Sequence, residues 1–343
     1  MPEKKNLSDY TFIPRNPNTA REIQEFCMNA GNWMDVKCPP SADFAMAKRD
    51  EPSERIVKYA NSIYFKGKDN LGAFFRRYDM QNDEEHIIAV DETTPTCGEL
   101  NFKHVIVGSD EVGTGERFKQ IIVTAVAVTP SHMDELIRMN VTDSKQMKKS
   151  QLRLAGEVLS GISSQQAWEI FENEDTDIAS EDAFVKFRCR ILPNREYDKF
   201  QRIENGKDKN NLLGELHAGV LNPLIRVCKP DYVVVDDFME TDKSVRDEFC
   251  AALNMESRRV FLRTKADAVN MAVSCASVIS AYLSDIYMEW LTEKIKKDYG
   301  ITGDFALPAN NLAFKEQKRM LAEAGADADV VFAKYAKTTF RSK

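Results

Sequence analysis

Apolar residues in the first hundred positions follow a helical spacing first and strand-like runs afterwards. Residues 17–34 repeat apolar side chains every three or four positions, and Thr19 stands where a capping residue is expected, which predicts an amphipathic helix. Strand-like runs follow at 43–48 and 62–65, and the second leads into a turn-like sequence at 66–69. The pattern predicts a small unit that mixes helix and strand.

A polar stretch with a proline, residues 91–100 (DETTPTCGEL), comes next and has the composition of a linker. We therefore place a domain boundary at about residue 98. A chain of 343 residues is expected to form two domains, at roughly 100 to 200 residues each. The prediction is an N-terminal domain over 1–97 and a larger domain over 98–343.

The larger domain is predicted to contain a mixed sheet covered by helices. Three strands, at 104–107, 121–128 and 167–171, are predicted before an alternation of helix and strand begins. In that alternation, helices are predicted at 211–228, 245–253 and 266–297, and strands at 232–235 and 259–262. Early strands in succession, followed by helix–strand alternation, are typical of a mixed sheet with a parallel half.

Acidic residues stand at the ends of three of these predicted strands. Asp110 and Glu111 follow the first strand (VIVGSDE), Asp236 ends a later one (YVVVDD), and Asp267 opens the helix after a third (FLRTKAD). The carboxyl ends of parallel strands meet at one edge of a sheet, so we expect these acids to converge. Four carboxylates repel one another unless cations neutralise them, and Mg²⁺ or Mn²⁺ prefers oxygen ligands. The pattern predicts a two-metal site suited to phosphodiester hydrolysis.

Each of these features also has a simpler explanation. A single Asp often ends a strand or caps a helix without any further role. The glycines after the first strand could belong to a dinucleotide-binding loop, but the third glycine of that motif would fall on Phe118. Two interpretations stay open for Gly113, Thr114 and Gly115: an ordinary turn, or a loop whose backbone approaches a sugar-phosphate strand. His217 lies among apolar helical positions and is interpreted as a packing residue.

The net charge of −7 and the pI of about 5.4 argue at first sight against a nucleic-acid partner. The charge is unevenly distributed, however. Residues 48–77 hold eight Lys or Arg against four Asp or Glu, a local balance of +4, with aromatic residues interleaved. This stretch is either a phosphate-facing surface or an ordinary solvated face.

Cysteine usage and the apolar stretches indicate the compartment. The seven cysteines are scattered and form no C-x-x-C pair, so neither a disulfide framework nor a zinc site is indicated. The first nine residues are polar and charged, and the most apolar later stretch, 266–283, is interrupted by polar residues. We expect a cytoplasmic protein with no export signal and no membrane segment.

Five ordered blocks of the larger domain resemble type 2 ribonucleases H, and most closely bacterial ribonuclease HIII. The blocks are GSDEVGTG at 108–115, TDSKQM at 142–147, LPNREYDKF at 192–200, VVVDDF at 233–238 and TKADAVNMAVSCASVIS at 264–280. The resemblance extends from about 104 to 340, because FAKYAKTTF near residue 335 is similar to the last helix of that family.

The resemblance implies an α/β fold, with a ribonuclease H-like mixed sheet flanked by helices. It implies an endoribonuclease that hydrolyses the RNA strand of RNA·DNA hybrids with Mg²⁺ or Mn²⁺, giving 5′-phosphate and 3′-hydroxyl ends. The N-terminal part is then a small α+β substrate-binding domain resembling the TATA-box-binding protein, with FKGKD at 65–69 as its strand-to-helix turn. The expected partner is the hybrid duplex, bound by a monomer.

The resemblance also implies roles for individual residues. The acids that bind metal and catalyse the reaction are Asp110, Glu111, Asp236 and Asp267. The backbone that senses ribose 2′-hydroxyls is that of Gly113, Thr114 and Gly115, and Lys145 lies near the substrate phosphates. Asp237 follows Asp236 directly, but the family's acid ends the apolar run, which favours Asp236 as the ligand.

The sequence departs from the family pattern at three places. Asp267 stands where ribonuclease HIII usually has Glu, and Phe118-Lys119-Gln120 replaces a Phe-Gly-Pro sequence. The middle helix has His217-Ala218 in place of a His-Asn pair. These departures leave a second hypothesis open, a protein that binds RNA·DNA hybrids but has lost turnover.

Overall fold

The computed structural model describes residues 8–12, 14, 19–29, 33–40, 42–50, 52–60, 62–67, 75, 100–203, 209–239, 243–307 and 315–339. The strands are β1 Ser8–Phe12, β2 Trp33–Asp35, β3 Ala42–Lys48, β4 Arg55–Tyr59, β5 Ser62–Gly67, β6 Ile106–Val112, β7 Ile121–Val128, β8 Asp177–Ile178, β9 Lys186–Leu192, β10 Tyr232–Asp236 and β11 Val260–Arg263. The α-helices are α1 Thr19–Asn29, α2 Leu100–Lys103, α3 Met133–Arg138, α4 Lys149–Ser160, α5 Ser164–Glu172, α6 Asn194–Ile203, α7 Lys209–Cys228, α8 Lys243–Ala252, α9 Met271–Tyr299, α10 Lys315–Glu323 and α11 Ala328–Tyr335.

The N-terminal unit is an antiparallel sheet of five strands in the order β1-β5-β4-β3-β2, together with α1. The helix predicted over 17–34 is present but shorter, and both predicted strands are present as β3 and β5. Of the linker predicted at 91–100, residues 91–99, and with them the domain boundary, lie outside the described residues, whereas Leu100 begins α2. The similarity of this unit to the TATA-box-binding protein stays a prediction.

The N-terminal unit packs directly on the rest of the protein. The rings of Phe26 and Phe75 lie 5.5 and 5.6 Å from the ring of Phe102 in α2, and all three side chains are buried. Lys48 pairs with Glu54 at 2.8 Å and with Asp134 in α3 at 3.3 Å. Since Lys48 is only 3 % exposed, this member of the basic stretch serves as a buried bridge and does not face phosphates.

The larger sheet has six strands in the order β11-β10-β6-β7-β9-β8. β6, β10 and β11 run parallel, whereas β7, β8 and β9 pair antiparallel. The prediction of a mixed sheet with a parallel half is therefore confirmed. The parallel half brings the carboxyl ends of β6 and β10 to the same edge, which is where Asp110 and Asp236 stand.

Both faces of the central strand β7 are covered. Ile122, Val126 and other alternate residues pack on α9, and the residues between them pack with α7 in a second cluster. Thr124, on the α9 side, accepts a hydrogen bond of 2.7 Å from Ser280, so the one polar side chain of β7 has a hydrogen-bond partner. All eight residues of β7 are buried, which explains their unbroken apolar run.

The strand predicted at 167–171 is wrong, because these residues lie in α5. Ser163 and Gln166 form a capping box at the start of this helix, and such a pair stabilises a helix N-terminus. Ala167 and Phe171 are the buried residues, one helical turn apart. The strand that pairs with β7 is instead β9, whose charged residues hide the alternation of Phe187, Cys189 and Ile191.

The long helix α9 is the centre of the packing. By length and composition it could cross a membrane, but 83 % of its most apolar window is buried inside the protein, as in the core helix of a globular protein. At its N-terminus, the Asn270 side chain accepts hydrogen bonds from the backbone N–H groups of Ala272 and Val273. Gly108 in β6 lies so close to α9 that a Cβ on this residue would be 2.5 Å from the backbone nitrogen of Val273.

Candidate active site

Asp110 and Glu111 are neighbours in β6, so their side chains point to opposite faces of the sheet. On one face, Ser277 of α9 hydrogen-bonds to the Asp110 carboxylate, and Ser277 itself hydrogen-bonds to Ser144 at 3.0 Å. On the other face, His217 Nε2 lies 3.3 Å from Glu111 Oε2. The two acids thus reach the strand end from different sides.

Asp236 is the last residue of β10, the parallel neighbour of β6. Its Oδ1 accepts a hydrogen bond of 2.8 Å from the backbone N–H of Ala266. Burial raises the pKa of Asp236, the Ala266 hydrogen bond lowers it, and the charge of Glu111 raises it again. The contribution of Glu111 shows that another carboxylate lies near Asp236.

Asp267 lies in a short 3-10 helix, Ala266–Ala268, which follows Lys265 in the left-handed conformation. Burial raises the pKa of Asp267 to about 7, helped by the charges of Asp143 and Asp236. A hydrogen bond between the Asp143 and Asp267 side chains contributes in the same direction. Asp143 is therefore a fifth acid at the site, and it belongs to the TDSKQM block of the sequence.

Uncompensated negative charge is the shared property of these acids. Asp110 is buried, and burial followed by the charges of Glu111, Asp236 and Asp267 raises its pKa well above the usual value. The pKa of Lys145 is lowered by partial burial, but the surrounding carboxylates outweigh this and raise it. Among the residues that the structure describes, the carboxylates of this site outnumber Lys145, the one lysine whose pKa they raise, so negative charge is in excess.

The acids influence one another's pKa values, but they are not arranged as a complete set of metal ligands. Within the described part of the chain, no group of three or more His, Cys, Asp or Glu side chains is arranged to hold a metal ion. One reason is visible in β6, because Glu111 turns toward His217 while Asp110 turns toward α9. The acids converge on one edge of the sheet, but their oxygens do not meet at one point.

His217 was interpreted from the sequence as a packing residue, and its surroundings show a second role. It is fully buried, its Nδ1 lies 2.9 Å from Ser109 Oγ, and its Nε2 reaches Glu111. Its ring stacks on Phe238 at 4.6 Å. In the sequence, its helical position and its match to the His of the family's His-Asn pair single out this residue, but neither signal identifies its partners.

Asp237 forms an ion pair with an arginine. Its carboxylate accepts a hydrogen bond of 3.0 Å from the backbone N–H of Met239 and pairs with Arg246 in α8. The pKa of Asp236, by contrast, is raised by burial and by the charge of Glu111. The environment of Asp236, and not that of Asp237, resembles a ligand position.

The loop of Gly113, Thr114 and Gly115 directly follows β6 and its two acids. Gly113 has φ +85°, and a Cβ there would lie 1.9 Å from the Gln120 carbonyl oxygen, so only glycine fits. A Cβ on Gly115 would meet no atom within 4 Å. The backbone of this loop is therefore open on the Gly115 side.

Comparison with known proteins agrees with the resemblance seen in the sequence. The family model described as Ribonuclease HII matches residues 107–306. Ribonuclease HIII of Geobacillus kaustophilus is 29 % identical over 229 residues, which are 65 % of this chain and 62 % of that protein. Ribonuclease HIII of Bacillus licheniformis is 27 % identical over 235 residues, which are 67 % of this chain and 64 % of that protein. The chain thus spans less than two thirds of the length of these relatives.

The fold is also that of a known structure. A crystal structure of Bst-RNase HIII in complex with Mn²⁺ is similar, with a TM-score of 0.52 and 22 % identity over 98 % of this chain and 96 % of that one. The crystal structure of a mutant protein of Bst-RNase HIII gives a TM-score of 0.53 with 20 % identity over the same shares. These structures establish the ribonuclease H-like α/β fold. Because the family model covers more than half of the chain, the protein belongs to the ribonuclease HII family, as a divergent relative of ribonuclease HIII.

Proposed function

We propose that the protein is an endoribonuclease that hydrolyses the RNA strand of RNA·DNA hybrids with Mg²⁺ or Mn²⁺, leaving 5′-phosphate and 3′-hydroxyl ends. The observation that carries this proposal is the convergence of Asp110, Asp236 and Asp267 from separate elements, each with a raised pKa. Acids of a purely structural kind would be expected to have basic partners, as Asp237 does.

The donor set fits a hard divalent cation. Asp110, Glu111, Asp236 and Asp267 supply only oxygen atoms, and the cation would provide the positive charge that the site lacks. When bound, a pair of such ions can activate a water and stabilise the leaving oxygen of a phosphodiester. The replacement of the usual Glu by Asp267 shortens one ligand by a methylene but keeps its charge.

The chain's own residues would bind and orient the substrate. Lys145 is exposed on the short helix Ser144–Gln146, close enough to the acids to be attracted by them, and it would hold a phosphate next to the carboxylates. The open backbone of the Gly113–Gly115 loop would contact the sugar edge of the RNA strand, where glycine leaves room for close approach. Backbone contacts of this kind can distinguish ribose from deoxyribose through the 2′-hydroxyl, which is both donor and acceptor.

A cleavage assay tests the proposal. The purified protein is incubated with an end-labelled RNA·DNA duplex in Mg²⁺, in Mn²⁺ or in chelator, with the matching RNA·RNA and DNA·DNA duplexes as controls. We expect internal cuts that require metal and are confined to the RNA strand of the hybrid. Cuts in every duplex, or cuts that persist in chelator, contradict the proposal.

The second candidate is a hybrid-binding protein without turnover. It is favoured by the separation of the Glu111 carboxylate from the face of Asp110 and by Asp in place of Glu at 267. Tight binding of the hybrid without cuts in either metal would support it. The same assay therefore decides between the two functions.

We also propose a reducing compartment such as the cytoplasm, since the described cysteines, all but Cys97 of the seven, are free thiols. Monomeric action stays a prediction, which the elution volume of the purified protein on a sizing column would check.

A further inference from the structure

Lys337, just after α11, is a buried lysine whose ammonium points into the loop that follows β6. Its side chain is 1 % exposed. The ammonium donates hydrogen bonds to the Gly113 carbonyl and, at 3.0 Å, to the Glu116 carbonyl. Its backbone N–H donates to the Arg117 carbonyl at 2.9 Å. Lys337 thus binds the carbonyl of Gly113, which begins the Gly113–Gly115 loop, and the carbonyls of Glu116 and Arg117, which directly follow it.

The segment around Lys337 is itself anchored. The backbone and hydroxyl groups of Thr338 and Thr339 donate four hydrogen bonds of 2.6–3.0 Å to the Asp198 carboxylate in α6. The side chain of Asn194 bridges the carbonyls of Phe118 and Tyr335 at 2.9 and 2.7 Å. The C-terminal segment therefore forms a fixed support under the loop, so the position of the ammonium is well defined.

Burying this ammonium costs free energy, and its hydrogen bonds to the two carbonyl groups offset that cost. Burial lowers the pKa of Lys337 to about 7, against the opposing effect of the Glu116 charge. The Tyr197 ring lies 5.6 Å from the ammonium and stabilises its positive charge. A hydrophobic residue would fill the same space at lower cost, so the two carbonyl contacts are the distinctive property of lysine here.

The loop that Lys337 holds has a single side chain, that of Thr114, between its two glycines. It is a Gly-Thr-Gly sequence beside Glu111, with an open backbone at Gly115. Hydrogen bonds weaken steeply with distance and angle. A small displacement of this backbone would therefore weaken contacts to the sugar edge and leave contacts to phosphates elsewhere intact.

We propose that Lys337 is a positioning residue that holds the Gly113–Gly115 loop in the shape that distinguishes an RNA strand from a DNA strand. This inference rests on the proposed function and adds a specificity determinant from the far end of the chain. Lys337 acts through the loop and not through the acids, so its loss should change substrate preference more than the maximal rate.

The test compares Lys337→Met, which keeps the length of the stem but loses the donor, with Lys334→Met. Lys334 lies on α11 with an exposed side chain over the Tyr335 ring and is the matched control. Binding of a fluorescent RNA·DNA hybrid and of a DNA·DNA duplex of the same sequence is measured in chelator. We expect the hybrid-to-DNA affinity ratio to fall about five- to tenfold in Lys337→Met, as lost hydrogen bonds of ordinary strength would give, and to be unchanged in Lys334→Met.

Hydrogen–deuterium exchange of residues 112–118 provides a second measurement. Faster exchange confined to this loop, with the selective loss of hybrid affinity, supports the proposal. If Lys337→Met does not fold, Asp198→Asn replaces it, because that change weakens the anchor of Thr338 and Thr339, and so the placement of Lys337, without removing the lysine itself. The same selective loss is then expected, but smaller.

A folded variant with an unchanged affinity ratio, or one that loses hybrid and DNA affinity equally, overturns the proposal. Failure of the proposed function and failure of this inference give different results. A wild-type protein that neither prefers nor cuts hybrids overturns that function and this inference with it, whereas a preference that persists in Lys337→Met overturns this inference alone.

Discussion

Asp236 and Asp237 are adjacent in the sequence but lie in different environments. Asp236 has a raised pKa among other acids, whereas Asp237 is paired with Arg246. We expect Asp236→Asn to abolish almost all turnover with little loss of stability. Asp237→Asn should keep turnover within a few-fold and lower the free energy of unfolding by about 1–3 kcal/mol, because it weakens a charged hydrogen bond. Single-turnover rates and urea unfolding check both, and an inactive, stable Asp237→Asn protein would contradict the assignment.

His217 connects Ser109 to Glu111 inside the protein and is expected to orient the Glu111 carboxylate. Loss of such an outer partner of a metal ligand typically costs about 10–100-fold in metal affinity or activity. We expect that loss in His217→Phe, which keeps the stacking on Phe238, and a partial recovery in His217→Gln, which keeps a donor. Mn²⁺ titration and turnover measure both effects. Equal losses in the two variants would show that packing alone matters.

The sequence selects the candidate acids more readily than their partners. Asp110, Asp236 and Asp267 stand out as candidates because strand ends carry a local signal. The contacts of His217 with Ser109 and Glu111 span more than a hundred residues, and no local pattern encodes such a contact. Asp143 belongs to the TDSKQM block at 142–147, but its proximity to Asp267 depends on the packing of the loop before α4.

At the scale of elements, three chain segments bring like charges to one edge of the sheet. The folded-state pKa values of Asp110, Asp236 and Asp267 are raised above their unfolded values. The metal-free folded protein therefore holds protons that the unfolded chain releases. The stability that these groups contribute is fully present below about pH 4 and is lost as the pH rises, toward pH 7 for Asp267.

Divalent metal should reverse this trend, because it binds the deprotonated carboxylates. We expect Mg²⁺ or Mn²⁺ to raise the melting temperature, and to do so more at pH 8 than at pH 6, where protons must be displaced. At a hundredfold excess over its Kd, a cation stabilises the fold by about 2.7 kcal/mol. Thermal shifts in metal and in chelator measure the effect. Asp110→Asn should reduce it and Asp237→Asn should not; equal shifts in both variants would argue against the site.

Prediction of the elements succeeded where the apolar pattern was strong. β7 was predicted with its observed bounds, and α7 and β10 within two residues. The segment at 167–171 failed because a short apolar run fits a strand and a buried helical turn equally well. β2, with three residues, is too short to show any periodicity, so its place in the sheet depends on pairing with β3.

At the scale of the whole molecule, the basic stretch of the N-terminal unit contains residues with two different roles. Lys48 is buried between Glu54 and Asp134, whereas Arg55 is exposed on β4. We expect Lys48→Met to lower the free energy of unfolding by about 3–5 kcal/mol, since it removes the lysine that pairs with the buried Glu54 carboxylate. Asp134 keeps its ion pair with Arg138. Urea unfolding measures this loss. The salt dependence of hybrid binding should be unchanged in this variant.

Arg55→Met is the matched variant for substrate binding. If the N-terminal unit contacts phosphates through its exposed basic residues, loss of one contact should flatten the slope of log K against log salt by about 0.9, the value for duplex DNA. Stability should change little. Binding isotherms over a range of salt concentrations check this, and an unchanged slope would leave the basic stretch as a solvated face.

The burial of α9 also has a consequence for the synthesis of the protein. β7 ends at Val128, but the helix that covers one of its faces is complete only at Tyr299. At a translation rate of about 5–20 residues per second, the intervening chain takes about 10 to 30 seconds to make. During that time, the branched apolar side chains of Ile122 and Val126 have no helix α9 to cover them. The nascent chain is therefore most prone to aggregate, and most in need of a chaperone, between these two points of its translation.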